Sequence, residues 1–200
     1  MLSFVNKIWY NCIMKKIFTL LALPVLAGCL TSTPPSVSHW MLEYTGQKSV
    51  SATPKFGVTR VSQISVRSPY NVQGLLVLRS NGMVAVDPYN EYVTNPALLM
   101  KGVLFDALNA SGKFKTVVGA SSSATATASV ELLVTKLALD CRTEGQRQAV
   151  ATVVIRILDG HDIAEVLKGD GAADAADGNF GAALSKAVSD AMASALGNLR

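Results

Sequence analysis

Asn95–Val118, NPALLMKGVLFDALNASGKFKTVV, is the stretch that decides the fold. Asn95 is a natural N-cap, because its side-chain oxygen can accept from the free N–H groups of a first helical turn. Pro96 suits the first helical position, where its missing N–H removes no bond, and Gly112 suits the residue just past the end. Between them Leu99, Met100, Val103, Leu104, Ala107 and Leu108 fall on one broad face at helical spacing, with Lys101, Asp106 and Asn109 elsewhere. Phe114–Val118 (FKTVV) follows at once as a short strand. A helix that is apolar on one face and runs straight into a strand packs on a sheet.

The rest of that sheet is read outward from this unit. Ala120–Ser129 (ASSSATATAS) is polar and of low complexity, a loop or a frayed strand edge. Val130–Asp140 and Gln148–Leu158 are the long strands, expected as antiparallel neighbours; the second places Ala149, Ala151, Val153, Ile155 and Ile157 on one face. Asp159-Gly160 marks a turn before a last strand, Ile163–Leu167, and Gly169–Asn179 (GDGAADAADGN) reads as a flexible loop. A second helix follows, with Phe180, Leu184, Val188, Ala191, Ala195 and Leu199 recurring every three or four residues. Its wealth of Ala and Ser suits close packing on the sheet or on a second copy of the chain, a homo-oligomer.

Upstream, Leu75–Leu78 and Met83–Val86 flank Asn81-Gly82, a hairpin signal. Val58–Val66 is a strand with an irregular middle, ended by Pro69, and His39–Tyr44 (HWMLEY) is the expected first strand. The fold class is therefore α/β (α+β), a two-layer domain. Its mixed, largely antiparallel sheet carries two helices packed mainly on one face.

The N-terminal part is of a different kind. Lys15 and Lys16 precede an apolar run from Ile17 to Ala27, and small residues lead into Cys29, the pattern of a secretory signal peptide. A run of 11 residues falls short of the ~20 that a bilayer-crossing helix needs, and Pro24 weakens it further as a helix. Leu26-Ala27-Gly28-Cys29 looks like the bacterial lipobox, in which the cysteine thiol is lipidated and becomes the first residue of the mature chain. Several acyl chains on Cys29 would give stable attachment to a membrane where one anchors only marginally. Leu30–Ser38 (LTSTPPSVS) reads as an extended tether, stiffened at Pro34-Pro35. The expected organisation is residues 1–28 as signal peptide, 29–38 as lipidated tether and 39–200 as a single domain. Met1–Ile13 precedes a signal that is complete from Met14, so Met14 is the expected start.

Composition excludes several functions. Lys7, Lys15 and Lys16 precede Cys29 while all 14 acidic residues follow it, leaving 15 basic against 14 acidic side chains, a net of +1. That balance leaves no basic cluster for nucleic acid. With Cys12 lost and Cys29 lipidated, Cys141 stands alone, an unpaired thiol or one half of an intermolecular bridge. Ser111-Gly112-Lys113-Phe114 lacks the glycine and the final Ser or Thr of a Walker A loop, and the chain has no G-x-S-x-G elbow and no S-x-x-K arrangement. The spacing of Asp170, Asp174 and Asp177 does not match a calcium loop, and His39 and His161 sit at a strand start and in a turn. No catalytic residue, cofactor or metal ligand is expected, which sets an envelope hydrolase aside.

With these elements placed, the chain resembles the auxiliary lipoprotein component of ABC-type transport systems, the family that includes the paraquat-inducible locus lipoprotein. The resemblance is carried by Val61–Val66 running to Pro69-Tyr70, by Leu76-Val77-Leu78-Arg79, by Asn90-Glu91-Tyr92 and Pro96, and by the helix leading into Ser111–Phe114 and Val117-Val118. The family usually has an Arg-Trp pair near Glu91-Tyr92 and an aromatic where Leu78 stands. The resemblance implies a non-catalytic lipoprotein held at the outer membrane and facing the periplasm. Its partner would be a periplasmic lipid-binding protein of the mammalian-cell-entry type, with its ABC permease and ATPase as separate chains. Pro69, Tyr70, Arg79, Tyr89 and Tyr92 are the expected partner-binding residues, since Tyr and Arg combine contact area with a polar group. Pro69-Tyr70 ends one strand, Arg79 ends another and the two tyrosines lie in the link before the helix, so all could gather near one edge of the sheet. The rival reading is an outer-membrane assembly factor, serving lipopolysaccharide or barrel insertion.

Overall fold

The computed structural model describes residues 36–48 and 53–199. The signal peptide, the lipobox Cys29 and most of the tether lie outside the described residues. The fold below belongs to the compact unit Val37–Arg200.

Strand β6 (Ala128–Cys141) is the axis of an eight-stranded sheet. Along one side it pairs antiparallel with β7 (Gln148–Asp159), which pairs antiparallel with β8 (Asp162–Asp174). Its other side is shared. Ala128–Val134 lie parallel to β2 (Phe56–Val66), and Leu139–Cys141 lie parallel to β3 (Gly74–Arg79). The sheet therefore forks: β2 carries β5 (Phe114–Val118) parallel on its outer side. β3 carries β4 (Val84–Tyr92) antiparallel, and β1 (Ser38–Trp40) then runs parallel to β4. The fork opens where the chain leaves β6 after Val66. Arg67 N–H still donates to Val134 O at 2.9 Å, and a turn containing the cis Ser68–Pro69 bond leads to β3. The mixed sheet is antiparallel in its longest pairings.

The first helix, α1 (Pro96–Ser111), forms as its termini dictate. Asn95 Oδ1 accepts from Ala97 N–H at 2.9 Å, and Gly112 stops the helix in the left-handed conformation at φ 67°. All six of the expected face residues are buried. The second helix, α2 (Phe180–Gly197), lies beside α1 over β7 and β8. It is buried round most of its circumference, as a helix enclosed on several sides must be. Lys113 Nζ fixes its last turn by donating to Leu196 O at 2.9 Å and to Leu199 O.

Three expectations are corrected. Gly169–Asn179 is a loop only from Ala175 onward, because β8 continues to Asp174. The glycines belong to the strand: a Cβ on Gly169 or Gly171 would fall 2.6 Å from the backbone N of Ala195 or Ala191 and closer still to a carbonyl oxygen of α2. Glycine inside a strand marks such a close approach of another backbone. The hairpin's second strand runs to Tyr92 rather than ending at Val86, with a register shift opposite Gly74–Leu76. The first strand is only Ser38–Trp40. Beyond it the chain is an extended strap whose partners are side chains of α2: Glu43 N–H donates to Ser185 Oγ at 3.1 Å and Thr45 N–H to Ser189 Oγ at 2.8 Å. Leu42 is buried beneath it.

Candidate functional site

The five residues expected to bind a partner are not gathered at one place. Tyr92 is 2 % exposed and part of the main core; burial pushes its phenol far above the ordinary value, and its hydroxyl has no hydrogen-bond partner. It cannot meet a partner from there. Tyr70 is half-buried, packed both on the main core and on a small cluster around Leu76, Leu78 and Ala138 on the sheet face away from the helices. Arg79 lies on the other face, since it is registered against Cys141, two residues from Leu139 in the main core. Pro69 is exposed in the turn, and Tyr89 is half-exposed on β4, its N–H donating to Asp87 Oδ1 at 2.8 Å.

Arg79 nevertheless marks a concave site. Where β3 and β6 end, a cleft of about 400 Å³ opens between the β3–β4 hairpin and the start of α2. Val77 and Leu139 wall it from the sheet, Arg79 and Asp87 from the hairpin, and Arg147 and Phe180 from the segments that enter β7 and α2. Cys141, half-buried, lies at its edge. The Arg147 guanidinium stacks over the Phe180 ring, 5.5 Å from its centroid. Phe180 meets Trp40 edge-on at 6.2 Å, and Trp40 Nε1–H donates to Asn90 Oδ1 at 2.9 Å. The cleft residues thus come from β3, β4, β6, the segment before β7 and the start of α2, brought together by packing set up far away in the chain.

The charges divide unequally. Among the described residues neither Arg79 nor Arg147 is ion-paired, whereas Arg142, at the same end of the sheet, is bound to Asp140 by a fork of contacts between 2.5 and 3.1 Å. That guanidinium holds the Asp140 carboxyl below the usual carboxylate range. The aspartates of the Gly- and Ala-rich segment serve local structure. Asp170 accepts from Thr152 Oγ1 at 2.6 Å, Asp174 from Ala176 N–H and Asp177 from Asn179 N–H. His39 lies 3.1 Å from Glu91. Among the described residues no three His, Cys, Asp or Glu side chains converge as metal ligands would. The cleft offers two cationic forks, one carboxylate and an apolar wall, which is equipment for binding. Arg147, Asp87 and Phe180 escaped sequence reasoning because no spacing links residues drawn from a loop, a strand and a helix start.

No family model and no curated protein matches the chain. Solved structures do share the fold. Protein XCC0632 from Xanthomonas campestris, of the family DUF330, is similar with a TM-score of 0.57 at 13% identity, over 82% of this chain and 95% of that one. A second, uncharacterized protein is similar with a TM-score of 0.56 at 9% identity, over 84% of this chain and 97% of its own. At these identities the likeness is one of fold: the chain has the architecture of a DUF330 protein.

Proposed function

We propose that this chain is a non-catalytic lipoprotein of the outer membrane, anchored through Cys29 with its domain in the periplasm. There it docks or extends an ABC-type lipid-transport assembly by binding a periplasmic protein of the mammalian-cell-entry type. The observation that carries the reading is the string Leu26-Ala27-Gly28-Cys29 at the end of a short apolar run, followed by a Pro-, Ser- and Thr-rich tether. The DUF330 architecture and the family resemblance of Val61–Tyr70 and Leu76–Arg79 support the same reading.

Two measurements test it. Cys29→Ser should abolish incorporation of a labelled fatty acid and move the protein from the membrane to the soluble periplasmic fraction; labelling that persists refutes the anchor. Co-purification of the anchored protein with the mammalian-cell-entry protein tests the partner. Capture of an outer-membrane barrel in its place would favour the assembly-factor reading.

A further inference from the structure

The geometry points to the cleft between the β3–β4 hairpin and the start of α2 as a binding site for a terminal carboxylate carried beside an apolar side chain. That is the chemistry of the last residue of a peptide, or of a free N-acylated amino acid. Among the described residues Arg79 and Arg147 have no acidic ion-pair partner, and each presents a planar fork that matches a carboxylate with two parallel hydrogen bonds. Arg147 already rests over the Phe180 ring, so less freedom is lost when it binds. Val77, Leu139 and Phe180 supply the apolar wall that a side chain next to the carboxylate would cover. Asp87 supplies an acceptor, which suits the amide N–H that precedes a terminal carboxylate. A volume of about 400 Å³ lies in the ~300–1,000 Å³ range of small-ligand pockets.

The surroundings narrow the class to a single negative group. Glu144 lines the adjoining hollow that shares Cys141 and Arg147, and Asp174 stands in register with Gln148, next to Arg147. Asp177 lies in the loop that Ala175 ties to Arg147 O at 2.9 Å. A polyanion, whether nucleic acid, acidic tail or anionic membrane, would meet these carboxylates, whereas one carboxylate inside the cleft does not reach past the arginines.

Trp40 reports on the site, because it touches Phe180 and is the only tryptophan after Trp9. The chain from Val37 onward keeps every strand and both helices of the described residues and is titrated, with Trp40 fluorescence as readout, against four probes. These are N-acetylphenylalanine, its amide, a hexapeptide ending in phenylalanine with a free carboxylate, and the same peptide amidated. Saturable binding of the free carboxylates is expected, with about a tenfold or greater loss on amidation and in Arg79→Gln or Arg147→Gln. Arg79 is exposed, so Arg79→Gln should melt as the parent does, which separates lost binding from lost folding. A peptide that binds at least tenfold tighter than N-acetylphenylalanine assigns the site to a partner's chain end; equal affinities assign it to a small molecule. Absence of saturable binding, amides that bind as well as acids, or an Arg79→Gln variant that binds unchanged would each overturn the proposal. The peptide form rests on the docking reading above and the free-ligand form does not. Failure to co-purify with a mammalian-cell-entry protein, with carboxylate binding intact, would therefore remove the docking partner and leave the site.

Discussion

Gly171→Ala tests whether α2 lies on β8 as described. An added Cβ would sit 2.6 Å from Ala191 N, 3.0 Å from Ala187 C and closer still to Ala187 O. All are backbone atoms inside a hydrogen-bonded helix, so no rotamer change relieves the clash. The helix must lift by about 1 Å, and a gap of that size forfeits a quarter to a half of each contact it opens. The contacts at stake are those of Leu184, Ala187, Val188, Ala191, Met192 and Ala195, all completely buried. Overpacking a tight core costs about 1–3 kcal/mol, and the opened gap places this site at the upper end. With a urea dependence of about 2 kcal/mol/M for a domain of this size, a loss of about 3 kcal/mol lowers the unfolding midpoint by about 1.5 M. Gly102→Ala is the control of opposite sign. Gly102 lies on the exposed face of α1 with nothing near its Cβ position, so alanine there should stabilise the helix by about 0.5–1 kcal/mol. A Gly171→Ala protein that unfolds at the parent's midpoint while Gly102→Ala behaves as stated would refute the packing of α2 on β8.

Other substitutions probe the remaining layers. Leu104, wholly buried on α1, should not tolerate aspartate: Leu104→Asp is expected to cost several kcal/mol, a large share of the ~5–15 kcal/mol that stabilises a domain, seen as a collapse of the melting temperature. Tyr92→Phe should be neutral or slightly stabilising, because it removes a buried hydroxyl that has no partner, whereas Tyr92→Ala should cost about 3–5 kcal/mol. Ser189→Ala leaves the Thr45 N–H without its acceptor and should cost about 1 kcal/mol, with faster hydrogen exchange at Thr45 as the direct readout.

The elements that were legible in the sequence are those whose cause is local. Asn95, Pro96 and Gly112 bound α1 by their own backbone chemistry, and the alternation Ala149–Ile157 marks β7 because one of its faces is buried. The glycines of β8 carry no such signal. A residue without a side chain reads as a loop until the backbone that fills its place is known, and that backbone lies some twenty residues further on, in α2. His39–Tyr44 alternates as a strand does, yet after Trp40 the chain bonds through Glu43 and Thr45 to two serine hydroxyls more than 140 residues away. Pro88 and Asn90 made the second half of β4 look like a link, because proline and asparagine are rare inside strands. The cleft was hidden for a further reason. Arg79 alone of its two cations was singled out, and it becomes informative only beside Arg147, which an antiparallel strand pair and a helix start bring to it.

The small residues of α2 serve two contacts at once, and this joins the strap to the cleft. Ala187, Ala191 and Ala195 form the stripe that receives Gly169 and Gly171 of β8. Ser185 and Ser189 form a second stripe, turned away from the first, that accepts the N–H groups of the strap. Larger side chains on the first stripe would push the helix off the sheet, and apolar ones on the second would leave the strap's N–H groups unpaired. The helix is therefore clamped between strand and strap, and its first residue, Phe180, is fixed between Trp40 of β1 and Arg147 of the cleft. A pull on the chain at Val37 bears first on β1, whose Trp40 touches Phe180, and next on the strap that holds α2. The contact lies at the margin of the main core, to which Phe180 belongs and against which Trp40 packs, so β1, the strap, α2 and the aromatic wall of the cleft form one packed unit.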